Sequence, residues 1–320
     1  MIGYAQLRPG PGFEFRRAVP YYAQRIVTWR RLRGPVSRGI AAAIRLRHGA
    51  GTEGQDGPAV RPALLDLRRD GLATLGDLVP PAMAKRMLAY FLGQRVARPG
   101  GRLVRLEEVE AGASMAAYPL SAVVACPGLM EAINAPDILR IAAGYVGCKP
   151  TISSLGVRWS FPSAVKREET QLFHRDPDDW RFLKLFVYLT DVEPDAGPHV
   201  FVCGSHETAA RLRAQPYERA ALEREYGAAR IRSITGPAGT TFMADTHGIH
   251  MGQPPARAAR LILQVQYSLL PIFAFHYEPV PVALPRGLDP YVNRLMVAEH
   301  AAEAASIGSL AEEEEAARAG

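Results

Sequence analysis

The most informative part of this sequence is residues 171–180, which read QLFHRDPDDW. His174 and Asp176 stand two positions apart in this segment. In an extended backbone such residues point to the same side, so both can reach one metal ion. A single His-x-Asp pair is weak evidence on its own, and its interpretation depends on residues further along the chain.

A second polar cluster lies about 75 residues later, where residues 245–252 read DTHGIHMG between two apolar segments. A histidine from this cluster completes a set of two imidazoles and one carboxylate. This facial triad is typical of non-haem Fe(II) sites, because it leaves coordination positions open for a co-substrate and oxygen. Arg260 begins the next apolar segment. Its guanidinium can hold the distal carboxylate of a dicarboxylate through a bidentate salt bridge.

The elements around these clusters are predicted from apolar periodicity. Helical spacing predicts one helix over 80–97 and a second over 136–146, and a helical insertion is predicted within 206–230. From about residue 150 the chain changes to short β-type segments, which predict an antiparallel sandwich or barrel. These predicted strands are 153–161, 183–192, 198–203, 231–235, 240–244 and 260–270.

In their order and spacing these motifs resemble the phytanoyl-CoA dioxygenase family of Fe(II)/2-oxoglutarate oxygenases, over residues 62–278. The resemblance implies a double-stranded β-helix, a squashed jelly-roll barrel that is mainly β with helices packed outside. This agrees with the predicted strands. The matching segments are HRD at 174–176, LKLFVYLTDV at 183–192, the Gly-Pro turn at 197–198 that leads to GSH at 204–206, and the DTHGIHMG cluster with Arg260.

The resemblance also implies how the metal is held. Iron would be bound by His174, Asp176 and a distal histidine, with 2-oxoglutarate held partly by the arginine beyond that histidine. In the family the distal ligand stands directly before an x-Gly pair, which selects His250. His247 is then expected at the rim of the substrate pocket.

Other residues are candidates for the co-substrate. Arg257 is a rival to Arg260, but it lies in a polar loop, whereas Arg260 begins a predicted strand whose alternate side chains point into the barrel. By comparison with the family, Lys184 or Tyr188 could help to bind 2-oxoglutarate. The alternative is that Lys184 lies at the barrel mouth and the Tyr188 ring belongs to the core.

The resemblance implies oxidation of a C–H bond, with two open metal positions for 2-oxoglutarate, one for O2, and release of succinate and CO2. Halogenases of this superfamily lack the carboxylate ligand, so Asp176 favours hydroxylation or a related oxidation. The expected substrate is a small or carrier-linked metabolite. Gln171 and Trp159 could line its pocket, although each is equally compatible with a structural role.

Two other functions use the same residues. One is a cupin-like jelly roll that binds a ligand without oxygen chemistry, and the complete triad with Arg260 argues against it. The other is a zinc hydrolase built on the His-x-Asp pair. A hydrolase would need further ligands, for which Asp178 or Asp179 is available, yet it would leave Arg260 without a purpose.

Composition sets broader limits. The chain has 320 residues, a formal net charge of +6 and three cysteines that are too few and too scattered for a disulfide framework, so a reducing cytoplasm is expected. The sequence contains no run of about 18 consecutive apolar residues, so no membrane span is predicted. Arginines interrupt every early apolar stretch, so no secretory signal is expected. The excess of basic residues is attributed first to a bias in amino-acid composition and only second to a binding partner. No nucleic-acid partner is predicted.

Positive charge is concentrated in a basic N-terminal extension, residues 1–61. Residues 1–50 contain ten arginines against one acid, Glu14. The simpler interpretation is that this segment is a solvated extension. The alternative is that it makes a weak contact with a membrane surface or an anionic partner. The oxygenase domain is predicted over 62–296, with its barrel core at about 150–278, and an Ala/Glu-rich tail over 297–320.

Overall fold

The structure is a computed structural model that describes residues 7, 13–26, 29–97, 101–109, 113–163, 171–208, 216–282 and 285–298. Within these ranges the strands form two antiparallel sheets. The larger sheet has the order β1 (Leu72–Thr74), β9 (Thr241–Ala244), β6 (Phe182–Tyr188), β11 (Arg260–Ser268), β5 (Thr151–Ser160), β4 (Met115–Ala117), β2 (Val96–Ala97) and β3 (Leu103–Val104). The smaller sheet has the order β10 (His250–Gly252), β7 (His199–Val202) and β8 (Ile231–Ile234).

Strand β6 shows how the sequence produces two buried layers. Successive side chains of a strand point to opposite faces, and all seven residues of β6 are buried. Leu183, Leu185 and Val187 join the apolar cluster that contains the outer helices. Phe186 and Tyr188 face the other way, into a cluster shared with the smaller sheet. The barrel interior therefore lies between the two sheets, which confirms the predicted double-stranded β-helix.

Helices cover the outer face of the larger sheet. They are α3 (Val60–Asp70), α4 (Pro81–Leu92), α5 (Leu120–Val124), α6 (Leu129–Ile133), α7 (Pro136–Val146) and α9 (Pro290–Asn293). Helix α7 has Pro136 in its first turn and ends at Gly147, whose φ of 92° suits the left-handed conformation that glycine adopts freely. The prediction for 136–146 is confirmed at both ends.

The smaller sheet is covered by α8 (Arg219–Tyr226). Leu222 of this helix is buried in a cluster with Val200 and Val202 of β7. Of the predicted helical insertion at 206–230, the structure shows only α8 as an α-helix, and residues 209–215 lie outside the described part.

All six predicted strands are present, with ends that differ by a few residues. The predicted strand 183–192 stops at Tyr188. The predicted helix 80–97 stops at Leu92, because Val96–Ala97 instead pairs as β2.

The basic N-terminal segment forms two helices, α1 (Phe15–Ile26) and α2 (Arg30–His48). Gln24 is 2% exposed and donates hydrogen bonds to Asp179 Oδ1 and to the carbonyl oxygen of Pro271. On α2, Ala41 and Ile44 are buried in an apolar cluster with α7. The interpretation of this segment as a solvated extension is therefore wrong at these positions, whereas the predicted division at residue 61 stays a prediction.

At the other end of the chain, the predicted Ala/Glu-rich tail lies outside the described residues except for Val297 and Ala298. None of the helices in the described ranges has the length and apolar character needed to cross a membrane.

Candidate metal centre

The two histidines of the predicted triad are brought together by the backbone. His174 and His250 form an isolated antiparallel bridge, in which each amide donates to the other's carbonyl at 2.9 and 3.0 Å. Directly opposite residues in such a pair project to the same face, and the two ring centroids are 4.3 Å apart. Asp176 is tied to the same loop, because its amide donates to the Thr246 carbonyl at 2.9 Å.

The tautomers of both rings suit metal binding. The Nδ1 of His174 lies 2.8 Å from the Leu172 carbonyl, and the Nδ1 of His250 lies 3.0 Å from the Gly248 carbonyl. A ring that donates through Nδ1 presents the lone pair of Nε2, as metal-ligating histidines commonly do. These Nε2 atoms lie 3.4 and 3.3 Å from the oxygens of Asp176. The three residues offer ligand atoms that all lie within 4.8 Å of one another.

Lys184 projects into the same group from β6. Its Nζ lies 2.6 Å from Asp176 Oδ2 and 3.2 Å from Asp178 Oδ2. Burial alone would raise the pKa of Asp176, but Lys184 and the two histidines hold that pKa well below its usual range. Burial lowers the pKa of His250, which favours the neutral imidazole that binds metals. The predicted ligands thus form one compact, partly buried set.

His174, Asp176, His250 and Lys184 line a cavity, called the metal cavity below, which also contains Arg260 and not Arg257. Arg260 is 3% exposed, donates through Nη1 to the Gly197 carbonyl and lies 3.3 Å from Ser160 Oγ through Nη2. The side chain of Arg257 is 84% exposed and lies 3.7 Å from Asp195. Gly197 has φ 74°, and a Cβ there would collide with the Gln253 carbonyl oxygen, so the predicted Gly-Pro turn requires glycine.

Two residues with titratable side chains that line this cavity were not predicted, Arg158 and His199. Arg158 lies on β5 opposite Ile262 and its Nη2 is 3.4 Å from Gln264 Oε1. The His199 ring stacks near His250 with centroids 5.5 Å apart, and burial lowers its pKa well below the usual value. His199 directly follows the Gly-Pro turn and is the second residue of the predicted strand 198–203, which was the available sequence signal.

Three residues were predicted to lie near the substrate or the co-substrate, namely Trp159, Tyr188 and Gln171. None of them lines the metal cavity. Trp159 follows Arg158 on β5, so it points to the opposite face, where its Nε1 donates to Tyr118 Oη at 3.0 Å. Tyr188 Oη donates to the Ile234 carbonyl and accepts from the His199 amide. Gln171 is buried and precedes the triad segment. The residues around the metal cavity are Arg158, His174, Asp176, Lys184, Phe186, His199, His250, Gly252, Arg260, Ile262 and Gln264.

His247 also departs from its predicted place. Its Nδ1 lies 3.0 Å from Asp245 Oδ1 and its Nε2 lies 2.9 Å from the Asp179 carbonyl. These contacts fix the loop that carries His250, and the ring faces a separate cavity. His247 therefore stabilises the loop through these hydrogen bonds and does not line the metal cavity.

Arg175, the middle residue of HRD, explains why the two sequence clusters meet. It is 6% exposed, and its Nη1 donates to the carbonyls of Ser205 and His247 at 2.8 and 2.5 Å. Its Nε lies 3.2 Å from Tyr217 Oη. A charged donor that serves several carbonyls joins the triad segment to the distal loop.

The further acidic ligands required by a zinc hydrolase do not join the cluster. Asp178 pairs with Lys184. Asp179 is 1% exposed and accepts hydrogen bonds from Gln24 Nε2 and from the amides of Trp180 and Leu270. In the part of the chain that the structure describes, the metal-type cluster consists of His174, Asp176 and His250.

Comparisons with known proteins add a fold relationship. No protein-family model matches the chain, and no curated protein matches it. The structure of EctD from S. alaskensis with 2-oxoglutarate and 5-hydroxyectoine aligns with a TM-score of 0.51 at 19% identity, over 79% of this chain and 94% of that chain. HygX from Streptomyces hygroscopicus, with nickel and 2-oxoglutarate bound, gives 0.46 at 15% identity, over 74% and 99%. At 19% identity, the likeness to EctD shows a shared fold.

Proposed function

We propose that this protein is a non-haem Fe(II)/2-oxoglutarate-dependent oxygenase of the phytanoyl-CoA dioxygenase type. The observation that carries the proposal is the convergence of two imidazole Nε2 atoms and one carboxylate within 4.8 Å, in a cavity that also contains Arg260. Three ligands on one side leave open positions on the metal. When bound there, iron with 2-oxoglutarate and O2 supplies the oxidising power for attack on a C–H bond.

The protein's own groups have separate tasks in this proposal. His174, Asp176 and His250 hold the metal. Arg260 binds the distal carboxylate of 2-oxoglutarate, because it is a buried cation whose pKa, lowered by burial to about 10, keeps it charged at neutral pH. Lys184 keeps the Asp176 carboxylate ionised and in place before the metal arrives.

The remaining co-substrate and substrate assignments rest on position. Arg158 shares the cavity with Arg260 and is a second candidate for a carboxylate group. Tyr188 does not contact 2-oxoglutarate in this proposal. Its Oη accepts a hydrogen bond from the His199 amide and so positions His199. Gln171 stays a candidate for the substrate pocket.

The substrate class proposed is a small or carrier-linked metabolite, hydroxylated or otherwise oxidised at carbon. EctD, which shares the fold, was crystallised with the small molecule 5-hydroxyectoine. The presence of Asp176 favours hydroxylation over halogenation. A reducing, cytoplasmic setting is consistent with Cys126, Cys148 and Cys203, which are buried free thiols.

The metal and co-substrate can be tested without knowing the substrate. Anaerobic addition of Fe(II) and 2-oxoglutarate should produce a weak visible charge-transfer band, and His174→Ala or Asp176→Ala should abolish it. With O2 and a metabolite library, succinate should be released only by the unsubstituted protein. Absence of the band, together with hydrolytic activity restored by Zn(II), would instead establish the hydrolase.

A further inference from the structure

A second cavity lies behind the loop that carries the metal ligand His250. Its volume is about 480 Å³, within the range of small-molecule sites. It is formed by the first turns of α2, the residues just before β6 and the loop around His247. Its wall shares no residue with the metal cavity in the ranges that the structure describes. The loop 245–250 contributes to both walls, because Asp245 and His247 line this cavity and His250 lines the metal cavity.

The charge of this cavity is positive. Four arginines line it, namely Arg31, Arg33, Arg38 and Arg181, against the carboxylates of Asp245 and Glu207. Asp245 is already engaged, since it accepts from Tyr145 Oη at 2.5 Å and from the amide and ring of His247. The cations of the wall therefore outnumber its carboxylates, and Arg guanidinium groups suit phosphate oxygens in a bidentate geometry.

Helix α2 adds a second source of positive potential. It has 19 residues, no acidic residue in its first turn and no side-chain cap at Trp29. Gly34, Pro35 and Ser37 of its first two turns line the cavity. The amides of Leu32 and Arg33 already donate to the Trp29 carbonyl, so the contribution of α2 is its dipole, which places positive potential at this end of the helix and favours a nearby anion.

His206 is an independent sign that something binds here. Its side chain is 2% exposed and lines the cavity. Neither ring nitrogen has a hydrogen-bond partner in the described part of the chain, and the nearest carboxylate oxygen, of Glu207, is 3.7 Å away. Buried polar groups without partners are uncommon in folded proteins. A bound anion would accept a hydrogen bond from this ring.

Gly71 shows that the position of His206 is built into the fold. Gly71 ends α3 with φ 76°, and a Cβ at this residue would lie 2.6 Å from His206 Nδ1. The ring is therefore packed against the backbone where only glycine fits. This close contact holds the imidazole at the cavity wall.

We propose that this cavity binds the phosphate group of a small molecule, at a site separate from the metal centre. The ligand class is indicated by four arginines, the N-terminus of α2 and the unpartnered imidazole of His206. Because the wall of this cavity shares no described residue with the metal cavity, the ligand acts as an effector or as a second bound group and not as the group that is oxidised.

Binding is tested on the full-length protein without iron or 2-oxoglutarate, so the result does not depend on the proposed oxygenase function. Isothermal titration calorimetry with inorganic phosphate, pyrophosphate and ADP, at ionic strength fixed with chloride, should show saturable binding of one molecule per chain. Equal affinity for pyrophosphate and ADP would assign the site to phosphate alone, and tighter binding of ADP would show that a nucleoside fills the rest of the cavity.

Two arginines of the cavity wall and one arginine outside it allow a matched test. Arg38→Gln and Arg181→Gln should each weaken pyrophosphate binding about tenfold or more, as expected for loss of a charge-assisted contact. Arg45→Gln, two helical turns beyond Arg38 on α2 and outside the cavity, should leave the affinity unchanged, and thermal unfolding checks that each variant folds. No saturable binding below about 10 mM, or equal weakening by Arg38→Gln and Arg45→Gln, would overturn the proposal.

Discussion

Arg260 projects into the metal cavity, and only some of the hydrogen-bond donors of its guanidinium have partners in the part of the protein that the structure describes. Its Nη atoms contact Gly197 and Ser160, while its Nε has no partner among the described residues. A hydrogen bond to a charged group contributes about 1.5–3 kcal/mol, so Arg260→Gln should raise the KM for 2-oxoglutarate by about 10- to 100-fold. Succinate release at varied 2-oxoglutarate measures this effect, with thermal unfolding as a check on the fold.

The control for this prediction is the rival arginine. Arg257 has an 84% exposed side chain and contacts Asp195 at 3.7 Å. Exposed ion pairs contribute little to stability, and Arg257 lies outside the cavity, so Arg257→Gln should leave the KM unchanged. An equal effect of the two substitutions would mean that Arg260 has no special role in binding 2-oxoglutarate.

Lys184 supports a second prediction, about metal and stability together. Its Nζ pairs with the carboxylates of Asp176 and Asp178 in a largely buried place. Removing one partner of a buried ion pair typically costs about 3–5 kcal/mol, so Lys184→Met should lower the stability of the metal-free protein by that order. A divalent ion supplies positive charge to Asp176, so Mn(II) should raise the Tm of Lys184→Met more than that of the unsubstituted protein.

Thermal unfolding with EDTA and with Mn(II), for both proteins, measures this difference. Asp178→Asn serves as the matched variant, because it removes one of the two carboxylates next to Lys184 and leaves Asp176 in place. It should lower stability less than Lys184→Met. If Mn(II) raised the Tm of Lys184→Met and of the unsubstituted protein equally, Lys184 and the metal would not share the Asp176 carboxylate.

Arg175 connects elements that are distant in sequence. Its guanidinium joins the triad segment to the 245–250 loop and to the turn after β7. Arg175→Ala should destabilise the protein by about 3 kcal/mol. It should also weaken Fe(II) binding by about 10- to 100-fold, as is typical when groups that orient metal ligands are lost. Urea unfolding and metal titration test both effects, and Arg175→Lys should recover part of each. Unchanged metal affinity in Arg175→Ala would show that the loop is held by other contacts.

Elements with clear periodicity were predictable, and very short ones were not. Strand β6 is buried on both faces, and every position in it except Lys184 is apolar or aromatic, so its presence was visible in the sequence, although the predicted strand continued to residue 192. Strands β2 and β3 have two residues each, too few for any period to show. They exist because neighbouring strands supply hydrogen-bond partners, which is a tertiary effect.

The grouping of His174, Asp176 and His250 was predictable in part. His174 and Asp176 share a strand-like segment, so their pairing was visible in the local pattern, whereas His250 was chosen over His247 through the family resemblance. Arg158 and His199 depend on which face of their strands points into the barrel. That choice is set by pairing, for example of Arg158 with Ile262 across β5 and β11. Sequence alternation alone leaves both faces of β5 open, so it did not show that Arg158, and not Trp159, points into the barrel.

At the scale of the whole molecule, helix α1 packs against two segments that are distant from it in sequence. Gln24 donates to Asp179 Oδ1 and to the Pro271 carbonyl, and its Oε1 accepts from the Phe273 amide. These bonds link the N-terminal helix to the segment after the triad and to the chain beyond β11. The basic N-terminal segment is therefore part of the folded body at α1, and arginines of α2 face the proposed phosphate cavity.

Asp179, at the centre of this junction, makes stability depend on pH. Burial raises its pKa to about 7, although three hydrogen-bond donors oppose the shift. In the unfolded chain an aspartate titrates near about 3.9. The protonated form is thus favoured by folding, so this contribution is fully present below about pH 4 and is lost as pH rises to about 7.

The corresponding loss of unfolding free energy between pH 5 and pH 8 is about 2–3 kcal/mol. Asp179→Asn removes the titration and costs about 1 kcal/mol at every pH, because the amide cannot accept from both Trp180 and Leu270. Urea unfolding of both proteins with EDTA isolates the effect: the unsubstituted protein should lose its advantage, or fall below Asp179→Asn, as pH rises. A pH-independent difference between the two would show that Asp179 is ionised throughout this range, and that its three donors outweigh the cost of burying its charge.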